Sequence, residues 1–86
     1  MITKEEVEKE QVKRRTNAIH EVFDGLIEWW FIKKDCQEFK YKFEQVYFNS
    51  YGVTLDSVKE ELDNYIALGG YSGYSIDEDN IITFRR

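Results

Sequence analysis

The chain has 86 residues and a mass of 10.4 kDa, which suits one small domain and excludes a dinucleotide-binding dehydrogenase, a (β/α)8 barrel or a kinase core. Hydrophobic residues make up 42% and charged residues 34%, a globular balance, and the formal net charge is −5. That charge is uneven: residues 1–51 hold ten acids and nine bases (−1), while residues 52–86 hold seven acids and three bases (−4). A negative field repels phosphate backbones and suits a basic protein partner, so nucleic acid is the less favoured ligand. With one cysteine, Cys36, there is no internal disulfide and no CxxC knuckle. The chain's opening is charged, and its longest apolar run, Trp29 to Ile32, is too short to span a bilayer. The expectation is a cytoplasmic protein without a membrane segment.

Taken in order, Thr3-Lys4-Glu5-Glu6 is a capping box that opens a helix reaching Asp24. Val12, Ile19, Val22, Phe23, Leu26 and Trp30 fall on one face of it. Residues 1–15 carry few apolar positions and read as a frayed arm or as a helix extension completed by a second copy, so a homodimer is open. Gly25 interrupts the pattern, and a short extended piece is expected near Phe31-Ile32.

A second helix is expected from Asp35, whose D-x-x-E spacing with Glu38 resembles a cap. Cys36, Phe39, Phe43, Val46 and Tyr47 then form its stripe, and Asn49-Ser50-Tyr51-Gly52 closes it. A third runs from Thr54 or Leu55 to Leu68 and stops at Gly69-Gly70. Its apolar face is Leu55, Val58, Leu62, Tyr65 and Ile66, and the opposite face carries Asp56, Glu60, Asp63 and Asn64. Beyond it the period falls to two. Tyr71–Ile76 and Ile81–Arg85 flank Asp77-Glu78-Asp79-Asn80 as a hairpin. The expected fold is α+β, mostly α: a single domain over 1–86 with three helices and a C-terminal β-hairpin.

Gly52-Val53-Thr54-Leu55 leading into Val58 and Leu62, then Ile66-Ala67-Leu68-Gly69-Gly70-Tyr71, then Asn80-Ile81-Ile82-Thr83-Phe84, resemble a winged-helix domain over residues 35–86. The resemblance implies that the third helix and the hairpin would meet DNA. Here those surfaces carry Asp56, Glu60, Asp63 and Asp77, Glu78, Asp79, where a DNA reader presents basic and amide side chains.

Other chemistry finds little support. His20 and Cys36 stand singly, sixteen residues apart, which is no metal-ligand spacing. Asp77, Asp79 and Asn80 lack the glycine and the twelfth-position glutamate of a calcium loop. A Cys36–His20 nucleophile is weakened by the place of Cys36 on an apolar stripe. Gly69-Gly70-Tyr71-Ser72-Gly73 lacks the lysine of a phosphate loop. The reading is therefore non-enzymatic, with no cofactor and no metal.

The residues expected to touch a partner are Asp56, Glu60, Asp63, Asp77, Glu78 and Asp79, with Trp29, Tyr41 and Phe48 as aromatic anchors at the edges of the stripes. Closely spaced carboxylates can imitate a phosphate run and occupy a basic groove, as small acidic phage inhibitors of nucleic-acid enzymes do. The alternative is a dimeric DNA-binding regulator that uses Lys33, Lys34, Lys40 and Lys42.

Overall fold

The computed structural model describes residues 1–44 and 52–86. Helix α1 spans Lys4–Ile27 and passes directly into a π-helical segment, Glu28–Lys33. Strand β1 follows at Glu38–Lys42, helix α2 at Leu55–Gly69, and strands β2 and β3 at Gly73–Ile76 and Ile81–Arg85. The three strands form one antiparallel sheet in the order β1-β3-β2. The architecture is thus two described helices packed on a three-stranded sheet, which corrects the expectation of three helices plus a hairpin.

The correction lies in residues 35–43. Phe39 and Phe43 are four apart, a spacing that satisfies one face of a helix and also alternate positions of a strand. Tyr41 decides between them: off the stripe as a helix, it falls in line with both phenylalanines as a strand. The strand is what forms, with Phe39 and Phe43 buried and Tyr41 half-buried against Phe23, ring centroids 5.5 Å apart and nearly perpendicular. Lys40 and Lys42 alternate outward. Asp35 does not cap a helix; it takes a left-handed backbone (φ 53) that ends the preceding one. Cys36 lies in the connection, with its amide bonded to the Trp30 carbonyl at 2.9 Å, and not on an apolar stripe. Val46, Tyr47, Phe48 and the closing Asn49-Ser50-Tyr51 of the expected helix lie outside the described residues.

Two further expectations about the first helix also change. Gly25 does not interrupt it, because α1 runs through to Ile27. Phe31-Ile32 is not extended but π-helical, with the Lys34 amide donating to the Trp29 carbonyl at 3.1 Å. A wider turn rotates each residue through a smaller angle. That brings Phe31, which a regular helix would carry off the stripe, back over the core, where it is 4% exposed.

Local signals set the remaining ends. The Thr3 hydroxyl accepts from the Glu6 amide, and Thr54 and Ser57 form a reciprocal capping box. Gly70, at φ 78, terminates α2 in the left-handed conformation. In the hairpin, the Asp77 carboxylate accepts from the amides of Asp79 and Ile81, and Asn80 takes φ 61. Residues 1–14 are exposed throughout, so the first three turns of α1 project beyond the core.

The core joins Ile19 and Phe23 of α1, Phe31, Phe39 and Phe43, Val58 and Leu62 of α2, and Ile82 and Phe84 of β3. Each such side chain contributes about 1.5–3 kcal/mol on burial, a large share of a small domain's stability. Two glycines give opposite expectations. Gly25→Ala meets open space inside a helix and should raise stability by about 0.5–1 kcal/mol. Gly70→Ala forces a side chain into a positive φ and should lower it by about 1 kcal/mol. Urea unfolding of the two variants checks both signs.

Candidate functional site

The α2 face turned away from the core carries Asp56, Glu60 and Asp63, all exposed, with Lys59 among them. Asp63 is held in place: the Tyr74 hydroxyl of β2 donates to its carboxylate at 2.9 Å. Burial, and then this bond to Asp63 and its charge, push the Tyr74 phenol above its ordinary value. The bond ties the hairpin to the acidic side of α2. At the hairpin turn Glu78 and Asp79 are exposed, while Asp77 spends its carboxylate on shaping the turn itself.

The aromatic anchors separate. Trp29 is 48% exposed on the π-helical segment, with the Lys33 and Lys34 ammonium groups 5.8 and 5.0 Å from its ring. Tyr41 is not a surface anchor, because strand geometry turns it inward onto Phe23. Phe48 lies outside the described residues. Trp29 also stands away from Asp56. The pairs His20–Glu61 and Asp24–Tyr65 step by four on both helices, so α1 and α2 run in the same direction. The end of α1 therefore lies beside the end of α2, and Asp56 precedes Tyr65 by about 14 Å of helix.

Those two pairs are a polar clasp that sequence reasoning missed. The His20 ring nitrogen Nε2 lies 2.7 Å from a Glu61 carboxylate oxygen, and the Tyr65 hydroxyl donates to Asp24 at 2.6 Å. The His20 and Tyr65 rings are 5.4 Å apart, beside an open groove of about 250 Å³ that includes Asn64 and Leu68. The signal available was the matched i,i+4 spacing at the borders of two apolar stripes, but it has meaning only once the helices are known to be parallel neighbours. The described contact of the His20 ring is with Glu61, and that of the Cys36 sulfur is with the Lys34 carbonyl at 3.8 Å. Among the described residues, no group of histidine, cysteine and carboxylate side chains could hold a metal ion. Among the same residues, no helix is long and apolar enough to cross a membrane.

The open face of the sheet has the opposite charge. Lys40 and Lys42 project there with Arg85, whose guanidinium meets Glu38 at 3.8 Å and donates to the Ser75 hydroxyl at 3.3 Å. Lys33 is 3.9 Å from Glu28. Acidic helix and basic sheet thus occupy different surfaces of one small domain.

Comparison with protein-family models, with curated proteins and with solved structures finds no match to this chain.

Tyr65 yields a pH expectation. Burial first, and then the bond to Asp24 and nearby negative charge, raise its phenol far above the ordinary 10.0. A raised folded value contributes stability that is fully present below pH 10 and lost as pH climbs above it, because the unfolded chain releases its proton first. Wild type should therefore lose stability more steeply than Tyr65→Phe above pH 10, as followed by circular dichroism. Equal slopes would contradict the assignment.

Proposed function

We propose that the chain is a non-enzymatic binding protein that inserts the acidic face of α2 and the hairpin tip into a basic groove of a protein partner. The observation that carries this reading is the row Asp56, Glu60 and Asp63 on the solvent side of α2, with Tyr74 bracing Asp63 from the adjoining hairpin. Carboxylates fixed on rigid elements present charge at little ordering cost, which favours electrostatic capture of a basic surface. In the resemblance to winged-helix domains, α2 and the hairpin are the surfaces that would meet DNA; with acids in those positions, the domain is suited to imitate the phosphates instead. A cytoplasmic inhibitor of a nucleic-acid enzyme, encoded by a phage or other mobile element, fits that chemistry.

A second reading rests on Lys40, Lys42 and Arg85 on the open face of the sheet. Under it the protein is a DNA-binding regulator whose sheet, not its helix, meets phosphate.

The discriminating experiment is affinity capture with wild type and with the Asp56→Lys/Glu60→Lys double variant. Both positions are exposed, so the fold should survive. The proposal expects a partner that wild type retains, that added duplex DNA displaces, and that the variant loses by tenfold or more, on the order of the effect of reversing two charges at a complementary interface. Equal retention by the variant would rule the acidic face out.

A further inference from the structure

Two backbone irregularities and one arginine converge on one cleft. The π-helical segment supplies Phe31 and Ile32, the left-handed Asp35 stands at the mouth, and Arg86 reaches across from the end of β3. With Ile27 and Tyr71 they line an open cleft of about 430 Å³, large enough for a small molecule. π-Helical turns and strained backbone are both concentrated where proteins bind ligands.

The chemistry of the cleft is asymmetric. Its apolar lining is Ile27, Phe31, Ile32 and Tyr71, with the Phe31 and Tyr71 rings 6.0 Å apart, Phe31 4% exposed and Ile32 left 72% exposed at the rim. The polar contribution centres on Arg86, whose Nη1 lies 2.9 Å from Asp35 Oδ1 and also donates to the Cys36 carbonyl at 3.4 Å. The Arg86 guanidinium lies 6.0 Å from the Phe31 ring, and the Arg86 amide donates to the Gln37 carbonyl at 2.8 Å, so the residue is anchored at its backbone as well as its head. Asp35 is not comparably fixed: its side chain is 85% exposed. An exposed pair of this kind is weak, and a carboxylate that also brings an apolar body can take the place of Asp35.

We propose that this cleft binds a small aryl carboxylate, its ring against Tyr71 and the edge of Phe31 with Ile32 at the rim, and its carboxylate on the Arg86 guanidinium in exchange for Asp35. The aromatic lining favours an aryl body through edge and offset ring contacts. The planar guanidinium favours a carboxylate over a point anion. The site lies at the shared end of α1 and α2, away from Asp56, and is independent of the acidic surface.

The test is an amide NMR titration of the full chain with phenylacetate and, separately, with uncharged phenylacetamide. The site predicts saturable shifts with phenylacetate centred on residues 27–35, 71 and 86, and weaker binding of the amide. Arg86→Gln should weaken phenylacetate by about tenfold, the cost of losing a charge-assisted bond. Asp35→Asn should tighten it several-fold, because asparagine tolerates the left-handed backbone but no longer competes for the guanidinium. That sign is one a purely structural ion pair would not produce. Equal binding of the amide, unchanged or weaker binding by Asp35→Asn, or no saturable shift up to about 10 mM would each overturn the proposal.

Discussion

Phe84 is the residue on which the other elements converge. Its ring lies 5.1–6.4 Å from those of Phe23, Phe31, Phe39, Tyr65 and Tyr71, so it touches α1, the π-helical segment, β1, α2 and the entry to β2 at once. It is fully buried in the central strand, β3, which pairs with both other strands. Within the core between helices and sheet, these rings form an aromatic cluster beside the aliphatic Ile19, Val58, Leu62 and Ile82. Tilted and edge-on ring pairs supply orientation as well as apolar burial. The π-helical turn follows from the same constraint, since it keeps Phe31 within reach of Phe84 and Phe39.

Anchoring the inward faces of helix and sheet to that cluster leaves their outward faces to differ. Strand alternation places Lys40 and Lys42 in solvent because Phe39, Tyr41 and Phe43 are held inside. Helical periodicity places Asp56, Glu60 and Asp63 in solvent because Val58 and Leu62 are held inside. Packing therefore decides which side chains reach solvent, and the sequence places acids on the helix face and bases on the sheet face. The polar bonds Tyr74–Asp63, Tyr65–Asp24 and His20–Glu61 then fix how the hairpin and α1 sit against α2.

Much of the helical content was legible because its signals are local. Thr3, Thr54 and Gly70 mark helix ends within a few residues of the groups they satisfy, and the change of period after Gly70 announces the hairpin. Strand β1 was not legible from Phe39 and Phe43 alone, because a spacing of four serves both periods and Asp35 with Glu38 looks like a cap. What selects the strand is pairing with β3, more than forty residues away: Phe39 opposite Phe84 and Tyr41 opposite Ile82. The π-helical turn was hidden for a similar reason, since it answers to a partner on a distant strand. Of the candidate site, the exposed acids could be read from helical periodicity. The inward turn of Tyr41 and the engagement of Asp63 by Tyr74 could not, because both depend on tertiary placement.

Under the proposed function, the acidic face of α2 and not the basic face of the sheet is the one that binds, so the domain takes a basic protein in preference to nucleic acid. Fluorescence anisotropy of labelled duplex and single-stranded DNA, titrated with the protein at about 50 and 150 mM salt, tests it most directly. The account predicts no binding to either strand form at the higher salt. Salt-sensitive binding that persists there, and that Lys40→Ala/Lys42→Ala removes, would contradict it and assign the sheet face to DNA.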